Sequence, residues 1–337
     1  MPVATKISGP SQLTFECFTS ASQVPEVVIA GLHACGPKAN IILPLLLKCR
    51  SGQQNDSENT WFVVYSNQDR TQVLYVASCT ASGVAEYPLF IVTTMSYESL
   101  VADVVEWDME FFCKELLSCA QRERVYSVFA VDRVATAFTK EWVKLTGIEA
   151  YRKPYYDCTM SFCSAKDLKP RRQKTILDAN NLQSEIGLGN KNDIPAIADL
   201  CELFAEESVK QEATLLQEQG AVWVHRIRKA DSPHWEIASI AACSRNTADI
   251  ATITKVYTNP KWRRLGCAER LTRDVCKQLF NSGKSQVALF VGNSNPASIV
   301  YDRVGFRGLQ ERSQRIEGVD RYLEIGFDRR VVCSGHW

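Results

Sequence analysis

"VYTNPKWRRLGCAERL", residues 256–271, runs from the end of an apolar strand through a proline, two arginines and one glycine into a helix. The helix carries Ala268, Leu271, Val275 and Leu279 on one face, so packing fixes where it begins. Its first N–H groups have no intrahelical partner and point into the preceding loop. Gly266 lets backbone approach a ligand closely, small Ala268 keeps the next turn open, and Arg263 and Arg264 add positive charge. The sum is an anion site suited to a pyrophosphate. The helix dipole contributes about 0.3–1 kcal/mol, so hydrogen bonds and arginines must carry most of the binding. Read alone, the same residues also fit a solvated arginine pair beside an ordinary turn. A dinucleotide fold is excluded by the lack of G-x-G-x-x-G, and a Walker loop by the lack of G-K-[ST].

A chain of 337 residues exceeds a typical single domain, and its 45% apolar and 23% charged residues are ordinary for a globular protein with real cores. A formal charge of +1 argues against nucleic acid or an acidic membrane as a whole-surface partner. The thirteen cysteines are odd in number and form no C-x-x-C pair. Cys113, Cys201 and Cys276 sit in apolar segments, where a reduced thiol packs as a small hydrophobe. His33, His225, His234 and His336 are scattered, so no metal site is expected. The N-terminus has no basic-then-apolar leader, and the longest apolar run, 41–47, is too short to span a bilayer. These features predict a soluble, cytoplasmic protein.

The polar, basic segment "SAKDLKPRRQKT" (164–175) reads as a linker between two similar halves, 1–165 and 175–330. Periodicity in the first half predicts a helix near 36–48, strands near 60–66, 72–79 and 88–94, and a helix near 97–121. A strand at 125–131, a helix near 132–146 and a strand near 156–163 complete it. The second half predicts a strand near 182–187, a helix capped by Asn192 or Asp193 with Pro195 in its first turn, and a second helix near 207–220. Strands at 221–228, 234–245 and 248–258 follow, then a helix near 265–281, a strand at 286–291, a short helix at 296–304 and a strand at 321–327. The expected class is α+β, two domains in tandem, each with a mixed, mostly antiparallel sheet flanked by helices.

"VYTNPKWRRLGCA" resembles the acyl-CoA signature of the GNAT superfamily of N-acyltransferases, [RQ]-x-x-G-x-[GA] after a strand ending V-x-x-x-P. "NPASIVYDRVGF", 295–306, resembles the element that follows it in that family, in the same order. The resemblance implies acetyl-CoA as co-substrate, an amine acceptor and no metal. It implies that the backbone of Val256, Tyr257 and Thr258 pairs with the pantetheine arm, and that the N–H near Val256 polarises the thioester. Arg263, Arg264, Leu265, Gly266, Cys267 and Ala268 would hold the pyrophosphate. Asn295 would contact the cofactor arm, and Tyr301 would be the general acid at the sulfur. The spacing from Asn295 to Tyr301 is one residue shorter than the commonest in the family.

No glutamate occupies 251–255, where some members carry a base; Asp249, Glu236, Glu206 and Glu207 are the nearby carboxylates. Deprotonating a lysine-like amine of pKa near 10.4 at pH 7 costs about 4.6 kcal/mol, against about 1 for an α-amino group near 7.8. Without a clear base, a weakly basic amine or a water relay is the easier route, and the near-neutral charge with no obvious peptide-groove signal favours a small-molecule acceptor. Cys267 has no histidine in its neighbourhood to make it a nucleophile. The first half resembles the same fold without its loop: "PLFIVTT" is followed by "MSYESL", and Trp142 stands where a tyrosine is expected. The leading expectation is an N-acetyltransferase, against a CoA-binding scaffold without turnover and, among enzymes, a protein N-terminal or lysine acetyltransferase.

Overall fold

The computed structural model describes residues 13–66, 68–81, 86–170, 181–202, 209–310 and 315–335. The chain forms two compact units, Met1–Tyr156 with Tyr322–Trp337, and Asp157–Arg321. The sequence suggests a cut between 165 and 175 instead; residues 171–175 lie outside the described residues.

The first unit opens with β1 (Thr14–Phe18), α1 (Glu26–Ala34) and α2 (Leu43–Arg50). The helix expected near 36–48 is a 3-10 segment, Gly36–Ile41, followed by α2, whose Pro44 sits in the first turn where no N–H is needed. β2 (Thr60–Tyr65), β3 (Val73–Cys79) and β4 (Leu89–Thr93) come next, rich in β-branched and aromatic residues. Nearly every residue in them is buried, as expected of strands covered on both faces. α3 (Ala102–Cys119), β5 (Ser127–Val131) and α4 (Asp132–Thr146) follow. α4 turns Val134, Phe138 and Trp142 inward at helical spacing and ends at Gly147, whose left-handed φ of 70° suits a C-terminal cap.

The second unit begins within β6 (Tyr156–Ser164). β7 (Leu182–Leu188), α5 (Ile194–Glu202) and α6 (Val209–Glu218) lead to β8 (Val222–Lys229) and β9 (Glu236–Ala242). The cap before α5 is Asn190, not Asn192 or Asp193. Asn190 Oδ1 accepts from the Asn192 N–H, and Asp193 returns a bond to the Asn190 N–H. β10 (Arg245–Asn246), β11 (Ile250–Ile253) and β12 (Lys255–Thr258) precede α7 (Cys267–Asn281), β13 (Gln286–Gly292) and α8 (Ala297–Val304). The last strand is β14 (Arg321–Gly326).

Both units run strand, two helices, a group of strand segments (three in the first unit, five in the second), a long helix, a strand and a helix. Within each unit the strand pairs of the described residues are antiparallel except one, β4 with β5 in the first and β11 with β13 in the second. The halves then exchange their final strands. β14 pairs with β5, Tyr322 opposite Val131 through Gly326 opposite Ser127, and Ser127 Oγ donates to Glu324 Oε1 at 2.8 Å. β6 pairs with β13, Cys158 opposite Gly292 through Ser164 opposite Gln286.

Candidate active site

The single strand expected at 248–258 is broken at Thr254. β11 pairs in parallel with β13, Ile253 opposite Leu289, while β12 pairs with β9 alone among the described residues. Thr254 makes the joint: its N–H donates to the Ala242 carbonyl at 2.8 Å, and its hydroxyl meets Ser244 Oγ at 3.1 Å. β12 is thus the edge of its sheet, and the end of β13, from Phe290 onward, runs beyond β11.

Antiparallel pairing alternates which way the backbone groups face. Asn259 N–H donates to the Ala238 carbonyl at 2.9 Å in the register that sets Val256 opposite Ala241. Tyr257 therefore faces β9, and the N–H and C=O of Val256 and Thr258 face the open edge. Side chains alternate as well: Val256 packs on the α7–α8 cluster with Leu271, Val275 and Tyr301, and Tyr257 on the α5–α6 cluster.

The loop into α7 is built on a hydrophobic anchor. Pro260–Trp262 forms a 3-10 turn capped by Asn259, and buried Trp262 packs with Ile227, Ala238, Cys267 and Leu265. After it, two residues are left-handed, Arg264 at φ 64° and Gly266 at φ 72°. A non-glycine there costs about 1–2 kcal/mol, so the anchor holds the loop in a conformation that local preference resists. Gly266 caps α7 with no side-chain hydrogen bond, which leaves the first-turn N–H groups to the loop. A β-carbon on Gly266 would stand in open space. Arg263 and Arg264 are exposed. The Arg263 guanidinium lies 5.6 Å from the Tyr257 ring centroid, donates to Tyr257 Oη at 3.1 Å, and through Nε reaches the Thr258 carbonyl at 3.3 Å. It thus occupies one carbonyl of the open edge.

Tyr301, on α8, is 9% exposed and packs edge-on against Phe306, with ring centroids 5.9 Å apart. Its hydroxyl makes no hydrogen bond among the described residues and is not sealed from solvent. Burial pushes the phenol pKa above the ordinary tyrosine value. Exposed Asn295 accepts the Ala297 N–H on Oδ1 at 2.9 Å just ahead of α8, and its amide nitrogen makes no hydrogen bond among the described residues. Half-buried Ala268 and Leu265 line the loop. Buried Cys267 donates to the Trp262 carbonyl, and burial first of all raises its thiol to about 11, so it packs rather than attacks.

The two described carboxylates are poor bases for this edge. Glu236 is taken by Lys261 Nζ, at 2.8 and 2.7 Å, and by Trp262 Nε1 at 3.3 Å. Asp249 is exposed and lies before β11, in the other sheet from Val256. Glu206 and Glu207 lie outside the described residues. Among the described residues no cluster of metal-ligating side chains forms, and no helix is long and apolar enough to cross a membrane. Sequence reading missed the break at Thr254 and the Arg263–Thr258 bond; "ATITK" gives no turn signal at the first.

The family model described as FR47-like protein matches residues 236–315, which contain every residue just placed at the open edge, the loop and α8. No curated protein matches the chain. Among solved structures, a Drosophila protein superposes with a TM-score of 0.60 at 14% identity, covering 92% of this chain and 97% of its own. A tandem GNAT protein from the clavulanic acid biosynthesis pathway gives 0.52 at 11% identity, covering 94% and 98%. A GCN5-related glucosamine N-acetyltransferase region of a fungal multi-domain GH3 β-N-acetylglucosaminidase gives 0.51 at 10% identity, covering 97% of this chain and 39% of that one. With two units of one element order, an FR47-like segment in the second and a tandem GNAT protein matching nearly end to end, the chain is a GNAT-fold protein in tandem form.

Proposed function

We propose that the second unit is an acyl-CoA-dependent N-acyltransferase, with acetyl-CoA as donor and a small-molecule amine as acceptor. The observation that carries this reading is the open edge at Val256, which shares one packed cluster with a buried tyrosine whose hydroxyl has no partner among the described residues. In the proposed reaction the pantetheine arm pairs with Val256 to Thr258, displacing Arg263 from the Thr258 carbonyl. Loop 263–268 takes the pyrophosphate on the first N–H groups of α7, with Arg263 and Arg264. The amine attacks the thioester carbon, and the oxygen collects charge beside the Val256 N–H. The C–S bond then breaks, the sulfur takes the Tyr301 proton, the ammonium proton leaves to water, and Tyr301 regains a proton from water. With both described carboxylates engaged or remote, the acceptor is an amine that is partly neutral at pH 7. The glucosamine acetyltransferase region among the structural neighbours favours a small acceptor over a protein.

We assign the first unit a supporting part without cofactor. Ahead of α3, Arg133 lies 4.3 Å over the Tyr97 ring and donates to the carbonyls of Tyr97 and Leu100, at 3.3 and 2.8 Å. The segment matching the cradle is thus tied by the unit's own cation.

Incubation with labelled acetyl-CoA and a mixture of amines tests the reading. Amide formation with release of free CoA is expected; tight CoA binding without any labelled product would make the protein a scaffold. Changing Arg263 and Arg264 together to alanine is expected to weaken CoA binding about tenfold or more with an unchanged melting temperature, because both are exposed. Equal affinities by calorimetry would remove the cradle. Gly266→Val forces a β-branched residue to φ 72°. It is expected to cost about 1–2 kcal/mol of stability and more CoA affinity than either single arginine change. Full affinity in that variant would place the phosphates elsewhere.

A further inference from the structure

One cavity in the second unit is lined by none of the residues assigned above to acyl transfer. α7 turns Arg270, Arg273, Asp274 and Lys277 to one flank, away from the Leu271, Val275 and Leu279 stripe it buries. Across from them stand Lys169 and an apolar wall of Leu168, Pro170 and Ile186, enclosing about 360 Å³. That volume takes a small organic molecule.

Arg273 is the built part of this site. It is 5% exposed, and its guanidinium is fixed on three sides. Nε donates to the Lys169 carbonyl at 3.0 Å, and Nη2 to the Arg303 carbonyl and to Glu269 Oε1, both at 2.9 Å. Nη1 is buried and makes no hydrogen bond among the described residues. A buried charged donor left unpaired is costly, so a site that retains one is suited to an acceptor from outside. Lys277 is exposed and has no ion pair among the described residues. The single carboxylate on the wall, Asp274, already accepts from Gln278 Nε2 at 2.7 Å, and the Lys169 ammonium is held by the Asp302 carbonyl and carboxylate.

We propose that this cavity binds a phosphomonoester carrying an apolar or planar body. Arg273 Nη1 and Lys277 take the phosphate, and Leu168, Pro170 and Ile186 take the body. The site stands on its own residues and does not depend on the acyl-transfer reading. The Arg270 N–H bonds the Gly266 carbonyl at 3.1 Å, so the cavity starts one helical turn from the loop. The phosphate therefore has two possible sources, the 3′-phosphoadenosine end of CoA or a separate metabolite.

Calorimetry with adenosine 3′,5′-bisphosphate, CoA and dephospho-CoA separates them. Lys277→Glu is expected to weaken bisphosphate binding about tenfold with the ligand-free melting temperature unchanged. The double Arg263 and Arg264 variant is expected to bind it as the parent does. If CoA supplies the phosphate, CoA loses the same factor in Lys277→Glu and dephospho-CoA loses none. If the source is separate, neither CoA nor dephospho-CoA changes. Absence of saturable bisphosphate binding up to about 1 mM, a weak-binding ceiling, overturns the site. So does equal binding by Lys277→Glu, and so does loss of bisphosphate binding only when Arg263 and Arg264 are removed. The last result would move the ligand to the loop without touching the acyl-transfer reading.

Discussion

Replacing Tyr301 by phenylalanine is expected to lower kcat by about two orders of magnitude and leave the melting temperature where it was. Other buried tyrosines supply the contrast. Tyr65 donates to Glu16 at 2.9 Å, Tyr75 to Asp108 at 2.7 Å and Tyr126 to the Glu86 carbonyl at 3.1 Å. Removing one of those hydroxyls orphans an acceptor and costs about 1 kcal/mol or more of stability. Tyr301 has no such partner among the described residues, so its hydroxyl has little stability to lose. Burial disfavours the phenolate and raises the pKa, so the donor stays protonated through neutral and mildly alkaline pH. The parent protein should accordingly show no alkaline loss of rate from this group below about pH 10. Steady-state kinetics and melting on one preparation decide the matter. A full rate, or an unchanged rate with a lowered melting point, removes Tyr301 as the acid.

A fragment beginning at residue 176 is expected not to fold, whereas one spanning 156–320 melts cooperatively. The first lacks β6, and with it the partner of β13 from Gln286 through Gly292, most of which is buried. Each buried backbone group stripped of its partner costs about 1–3 kcal/mol, and several together exceed the 5–15 kcal/mol that separates a typical domain from its unfolded chain. The second fragment holds all of the second unit except Arg321. Circular dichroism and thermal melting compare them. A cooperative transition in the shorter fragment, matching that of 156–320, would mean that β13 does not need β6.

Much of the second unit can be read from local sequence. Arginine and glycine spacing, the proline and the apolar stripe at Leu271, Val275 and Leu279 act within a few residues, and the loop, α7 and α8 appear where these signals put them. What local signals do not encode is which edge a strand joins. β6 and β14 carry ordinary strand residues, and their partners lie more than a hundred residues away, so the exchange is invisible along the chain. The break at Thr254 is hidden for a related reason: "ATITK" favours strand throughout, and only the divergence of β9 from β13 parts it. The first helix, "EVVIAGLHA", was obscured by β-branched Val27, Val28 and Ile29 together with Gly31, which weaken helix propensity where packing supplies the helix. The cap at Asn190 is ambiguous along the chain because Asn190, Asn192 and Asp193 can each serve.

The strand exchange also sets a timetable for synthesis. The ribosome releases β5 some 190 residues before it makes β14, which at 5–20 residues per second is a wait of about ten to forty seconds. Through that interval "SVFAV" presents an uncovered apolar edge, the kind of surface to which another nascent chain can add itself. A nascent first unit therefore cannot mature before β14 is made, and a chain truncated ahead of residue 321 leaves an open sheet. Chaperone demand during translation should accordingly centre on the first half of the chain, the half with no chemistry assigned to it.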